Sequence, residues 1–233
     1  PVWTPDGRKV AFASEGKESQ PVFWKAADGS GAIEQLVAGP DALLPTSFSP
    51  DGRRLVLRRQ RPAAGDDLFV LSLEGARSPQ PLIQTSFLET TGEISPDGRW
   101  LAFQSNESGQ NEVYVRPFPG PGEAVRVSTA GGLQPTWSRD GRELFFALQG
   151  KMFAVPASTS PALRLGKPEL LFETDAAGGL DEDYDVSPDG QRFVVSLSPR
   201  KAAQLPFVRV VVNWFEELQR LGAEVDEPSG IQR

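Results

Sequence analysis

Histidine and cysteine are both missing from the 233 residues, and methionine and tyrosine nearly so, at one and two. Without histidine the chain cannot run Ser-His-Asp or Cys-His catalysis, histidine metal ligation or histidine general-base work. Without cysteine it has no disulfides, thiol chemistry or thiolate metal sites, and its compartment is left open. Any chemistry must run on carboxylates, Lys, Tyr or a hard cation. A basic surplus is lacking too. The formal charge is −7 and the pI about 4.8, which disfavours nucleic acid as a partner, because phosphate binding needs a basic face. No run of eighteen apolar residues is present to span a membrane, and the opening residues do not read as a signal peptide. Nothing in the composition implies a cofactor.

Glycine and proline are plentiful, at 23 and 21, and the most regular of them sit in one recurring turn. Ser95-Pro96-Asp97-Gly98 returns as Thr4-Pro5-Asp6-Gly7, Ser49-Pro50-Asp51-Gly52, Ser138-Arg139-Asp140-Gly141 and Ser187-Pro188-Asp189-Gly190. The aspartates stand at 6, 51, 97, 140 and 189, at intervals of 45, 46, 43 and 49. Proline presets the second position of a type I turn, and the glycine takes the left-handed conformation that a Cβ would penalise. Such a turn joins two strands of a bulged hairpin. After it come runs such as Leu55-Val56-Leu57, Leu101-Ala102-Phe103 and Leu144-Phe145-Phe146, apolar at consecutive positions, so both faces of the strand should be buried. A period in the forties with several short strands per unit is a propeller signature. The expected fold is all-β: a β-propeller of four-stranded antiparallel blades over residues 1–213, its first and last blades incomplete. Asn213-Trp214-Phe215-Glu216 offers a capping box, so an amphipathic helix is expected over 214–222, with a flexible tail over 223–233. The first blade lacks most of its inner strand and the last its outer one, so the chain reads as the C-terminal part of a longer protein.

These residues match a known repeat. The (S/T)-P-D-G-(R/Q) turn, an apolar strand, then Ser105-Asn106-Glu107-Ser108-Gly109 leading into Glu112-Val113-Tyr114-Val115, resembles the PD40 (WD40-like) repeat of TolB-type propellers. Rings of that family usually have six repeats, where five are visible here, and Arg139 departs from the proline of the motif. The ending Val210-Val211-Val212-Asn213-Trp214-Phe215-Glu216-Glu217-Leu218 is similar to the C-terminus of propellers that follow a kinase domain in bacterial serine/threonine kinases. That resemblance implies a bacterial protein, an extracytoplasmic (periplasmic) place for the propeller and a kinase domain upstream. No kinase motif occurs in the chain itself.

Two functions are open. The first is a non-catalytic binding or sensor module that recognises a protein, peptide or small ligand. Its surface would be the loops leading into the inner strands, on the face opposite the Pro-Asp-Gly turns, because those loops differ in every unit whereas the turns nearly repeat. The ligand-binding candidates are Asp41, Glu89, Thr90, Gln134, Asp181 and Asp183, treated as exposed positions. The second is a carboxylate-based, glycosidase-like hydrolase in the central channel, drawing on Asp41, Glu89 or Glu93, and Asp181 or Asp183. The run Asp181-Glu182-Asp183-Tyr184-Asp185 could hold Ca²⁺, though solvated loop acids explain it as well. Trp3, Trp24, Trp100 and Trp137 read as core residues. Arg58-Arg59-Gln60-Arg61 reads as a solvated hairpin end where an acidic peptide could dock.

Overall fold

A computed structural model describes residues 1–14, 20–61, 65–173 and 184–195. One compact unit spans Pro1–Ser198. The expected helix over 214–222, the tail, Asp181 and Asp183 lie outside the described residues.

The first sheet pairs β1 (Val2–Trp3), β2 (Lys9–Ala13), β3 (Val22–Ala26) and β4 (Glu34–Val37) in chain order. The second does the same with β5 (Ala42–Phe48), β6 (Arg54–Arg61), β7 (Gly65–Ser72) and β8 (Pro79–Ile83). Pro79 and Pro81 fall on its outer edge, where a missing N–H costs no ladder bond. The third comprises β9 (Glu89–Ile94), β10 (Trp100–Ser105), β11 (Glu112–Pro117) and β12 (Val125–Arg126). In the fourth, β13 (Leu133–Trp137), β14 (Glu143–Leu148) and β15 (Lys151–Ser158) are completed by β16 (Arg164–Leu165) and β17 (Glu169–Glu173), which both pair with β15. The fifth contributes β18 (Tyr184–Val186) and β19 (Phe193–Val195). All ladders are antiparallel, and each inner strand packs on the next, β1 on β5, β5 on β9, β9 on β13 and β13 on β18. Among the described residues no helix is long and apolar enough to cross a membrane.

The consecutive apolar runs do what their pattern demands. Leu55 and Leu57 enter the core between the first two sheets, while Val56, on the opposite face of β6, enters the core between the second and third. Leu101 and Phe103 divide from Ala102 in the same way, and Leu144 and Phe146 from Phe145. The second strands of the middle three sheets thus serve two cores, and the alternating side chains of the pleat supply both. Val194 of β19, expected to be buried, is instead 67% exposed, because no further described blade covers that face. Trp137 is buried, but Trp3 is not the core residue expected: it is 60% exposed. β1 is an inner strand of two residues, paired on β2, and the side chain stands in the mouth of the channel.

The five turns are one structure repeated. In each, the glycine N–H donates to the carbonyl of the first residue at 2.8–2.9 Å, and the glycine φ lies between 68° and 74°. The hydroxyl of Ser95 donates to Asp97 at 2.6 Å, and the same carboxylate accepts the Arg99 N–H at 3.1 Å. The Ser95 hydroxyl oxygen then accepts the Trp100 N–H at 3.0 Å. Thr4, Ser49, Ser138 and Ser187 repeat this set. These bonds favour the ionised form, and all five aspartates sit below the usual carboxylate range.

The turns also touch one another. A Cβ placed on Gly52 would meet the Pro5 ring at 3.9 Å, one on Gly98 the Pro50 ring at 3.5 Å, and one on Gly141 the Pro96 ring at 3.7 Å. Each proline therefore lies against the glycine of the following turn. The series stops at Arg139, and Gly190 has nothing within 4 Å.

Two outcomes follow from this rim. Asp97→Ala leaves the Ser95 hydroxyl and the Arg99 N–H without an acceptor and should cost about 1–2 kcal/mol in denaturant unfolding. Arg139→Pro should raise stability by about 0.5–1 kcal/mol, because it presets the turn and places a ring against Gly190.

Candidate functional site

The inner strands build the channel. The side of an inner strand that faces the axis has no sheet partner, so its backbone polar groups need acceptors and donors from elsewhere. Side chains on the neighbouring inner strands supply them. The Thr46 hydroxyl donates to the Gly92 carbonyl at 2.7 Å, and the Ile94 N–H donates to Ser47 Oγ at 3.1 Å. The Trp137 N–H donates to Glu93 Oε1 at 3.2 Å, and its indole N–H to the Glu93 carbonyl at 3.3 Å. Tyr184 donates its hydroxyl to the Gln134 carbonyl at 2.6 Å. Ser47 and Glu93 both stand four residues before their turn aspartate, as do Thr136 and Asp185. That shared position points at the axis or at the next blade.

Bulges interrupt β5, β9 and β13. In β9 and β13 the residue six before the turn aspartate is left-handed, Thr91 and Gln134 both at φ 53°. A β-branched Thr in that region is strained, and strain of this kind gathers where a fold builds a site. No glycine marks either position, so neither left-handed residue is legible from its residue type.

Glu93 is the channel's distinctive ionisable group. It is half-buried, and the cavities at the turn-side mouth reach its side chain. Burial pushes its carboxyl up to about 8, with the Asp185 carboxylate adding to the effect, while the Trp137 N–H and the Thr136 hydroxyl pull the other way. Burial also raises the Tyr184 hydroxyl. Burial therefore favours the protonated form of Glu93 at neutral pH.

On the lead-in side, the loop 85–88 is held firmly. Thr85 Oγ1 donates to Glu89 Oε1 at 2.5 Å and accepts the Phe87 N–H at 3.0 Å. The Leu88 N–H donates to Asn106 Oδ1 at 2.9 Å. Gly65 lets the loop approach, since a Cβ there would meet the Phe87 carbonyl at 3.2 Å. The side chains of Phe87 and Leu88 nevertheless stay about 40% exposed. Glu89 itself, expected on the surface, is 1% exposed and Thr90 is buried. Both belong to the base of this loop, and burial raises the Glu89 carboxyl. The reason is register: Glu89 pairs with Ser105 inside the sheet rather than capping it.

Asp41 is engaged as well, in an ion pair with Arg59 at 2.9 Å beside a cavity of about 270 Å³ bounded by Pro40, Leu43 and Phe69. The basic run Arg58-Arg59-Gln60-Arg61 is not a free hairpin end. It is part of β6, whose register on β7 sets Arg59 opposite Asp67 and Gln60 opposite Asp66. Arg58 pairs with Asp66 and Arg61 with Asp67, so an acidic peptide finds no spare cation there. Gln134 lies on β13, with its N–H toward Gln104 Oε1 at 3.4 Å. The structure thus separates the candidates. Glu89 and Thr90 sit at one end of β9 and Glu93 near the other, and Asp41 and Gln134 stand on different blades.

Two adjoining cavities of about 510 Å³ each open at the turn-side mouth, and both are bounded by Trp3, Pro5, Glu93 and Arg139. This region lies outside the candidates expected from the residues, because the turns look alike. The available signal was the one substitution in the motif, Arg139.

Glu93 gives stability a pH dependence of definite sign. Its folded value lies above the ordinary 4.5, so its contribution is complete below that pH and is lost as pH rises through about 8. Glu93→Gln keeps an acceptor for the Trp137 N–H and removes the titration. Melting curves should show the wild type losing about 1–3 kcal/mol more than the variant between pH 5 and pH 8, a range that allows for screening through the channel.

Comparison with known proteins agrees with this architecture. The TolB beta propeller domain family, PD40, matches residues 1–230. A curated relative, Uncharacterized protein Atu1656 of Agrobacterium fabrum, is 30% identical over 108 residues, which is 43% of this chain and 37% of that protein. The chain therefore aligns with well under half of that relative's length. Among solved structures, TolB from Acinetobacter baumannii superposes with a TM-score of 0.67 at 23% identity, over 83% of this chain and 47% of that one. The putative TolB from Agrobacterium tumefaciens gives 0.65 at 18%, over 85% and 73%. Prolyl oligopeptidase B from Galerina marginata gives 0.54 at 13%, over 84% and 29%. At these identities the structural likenesses establish the fold. With nearly the whole length matched by the repeat family, the chain belongs to the TolB β-propeller (PD40) family.

Proposed function

We infer that this propeller is a non-catalytic binding module that docks a protein or peptide on its lead-in face. The observation that carries this reading is the loop at Phe87-Leu88. It is fixed from beneath by Thr85, Glu89 and Asn106 and still holds two apolar side chains in water. A rigid apolar knob loses little conformational entropy on docking. The charges around it favour an uncharged partner segment, because Arg58, Arg59 and Arg61 are each already paired with a carboxylate. Of the candidates on this face, Glu89 and Thr90 act by positioning the loop, while Asp41 and Gln134 would border the partner. Asp181 and Asp183 remain part of the proposal by their place before β18.

The hydrolase alternative is less well supported, since Asp41 is held by Arg59, Glu89 by Thr85 and Glu93 by the Trp137 backbone. A shared reacting centre would need these acids to converge. The periplasmic setting and an upstream kinase domain belong to the same proposal; the TolB-type family supports the first, and the second rests on the C-terminal resemblance alone.

Panning a displayed peptide library against the full chain and mapping the footprint of the selected peptides by hydrogen exchange tests the reading. Protection should fall on residues 85–90. Phe87→Ser with Leu88→Ser should weaken binding at least about tenfold, as loss of central apolar anchors does, with thermal stability nearly unchanged. A footprint confined to the Asp-Gly turns would refute the choice of face.

A further inference from the structure

The turn-side mouth of the channel carries a second, independent feature. Of the second residues of the turns, Pro5 and Arg139 border both 510 Å³ cavities, Pro188 one of them, and Pro50 and Pro96 the other. They form a collar around the axis in which Arg139 is the one charged member. Arg139 is exposed and makes no ion pair or hydrogen bond among the described residues. Because it replaces the ring that would rest on the next glycine, the space beside Gly190 is open. Across the cavity Trp3 presents an indole that is 60% exposed.

We propose that this collar is a carboxylate-binding site: the Arg139 guanidinium takes the carboxylate of a ligand, and the ligand's apolar body lies against Trp3 and Pro5. A planar guanidinium matches a carboxylate bidentately, and the proline walls exclude water without competing for it. Of the acids on the same cavity, Glu93 is held toward its neutral form by burial, whereas Asp185 keeps its charge, with Oδ1 accepting the Val186 N–H at 2.7 Å. A ligand carboxylate must therefore approach Arg139 from the side away from Asp185. The ligand is thus a monocarboxylate with an apolar or aromatic body, either a small molecule or the free carboxyl terminus of a polypeptide. The site uses the opposite mouth of the channel from the Phe87-Leu88 loop, so neither proposal depends on the other.

The test titrates the ¹⁵N-labelled full chain with four probes: 3-phenylpropionate, its primary amide, the peptide acetyl-Ala-Ala-Phe with a free C-terminus, and the same peptide amidated. The carboxylates should shift the Trp3 indole and Arg139 Nε–H signals, and each amide should bind at least about tenfold more weakly, the loss expected for one charge-assisted contact. A tighter fit of the peptide acid than of the small acid identifies a polypeptide terminus as the source, and the reverse order a small molecule. Arg139→Pro restores the motif found in the other turns and so keeps the fold. It should abolish the acid-over-amide preference, whereas Arg139→Lys should retain part of it. Phe87→Ser should leave it unchanged. The proposal is overturned if neither acid binds in the millimolar range, if acid and amide bind alike, or if Arg139→Pro keeps the preference.

Discussion

A backbone N–H on the axial side of an inner strand has no neighbour in its own sheet, and the middle of this propeller is built around that deficit. An unpaired buried backbone group costs about as much as a lost hydrogen bond, so the strands have to borrow partners from the adjoining blade. Ser47, Glu93 and Tyr184 are the lenders, the first two reaching one blade on and Tyr184 one blade back. The borrowing fixes how far one blade is rotated from the next, because the side chain must meet a particular N–H or carbonyl. It also explains why an acid tolerates a site that disfavours its ionisation. The Trp137 N–H needs an acceptor, and a carboxyl provides one in either protonation state.

The turns perform the corresponding task at the rim, with a smaller set of atoms. One serine or threonine hydroxyl and one aspartate carboxylate satisfy the backbone of each hairpin end, and proline and glycine settle its shape. Because the set is local, it survives the loss of proline at Arg139. The Asp140 bonds there match those of the other turns.

This division explains what could be read from the residues alone. The turns, the strand order and the doubly buried second strands were legible, since each follows from contacts within a few residues or from the period of the apolar pattern. The channel was not. Whether Glu89 or Glu93 faces water depends on a bulge in β9, and the residue that makes that bulge, Thr91, carries no local mark of it. The charge of Arg58, Arg59 and Arg61 could be counted, but their partners lie on another strand or, for Asp41, on the loop leading into β5. Trp3 looked like its counterpart Trp137, yet only Trp137 has a preceding blade's Glu93 against it among the described residues.

The contact of each proline with the following glycine has a direction. Every turn offers one surface forward and a different one backward, so the rim is a head-to-tail polymer of identical joints. Such joints make a ring only when the rotation per step divides the circle, and otherwise a helix. The number of blades is thus written in the joint angle and in no single blade. A joint without its ring, such as that between the fourth and fifth turns, is a place where this angle is less tightly prescribed. Propellers of different blade number can share one turn sequence for the same reason.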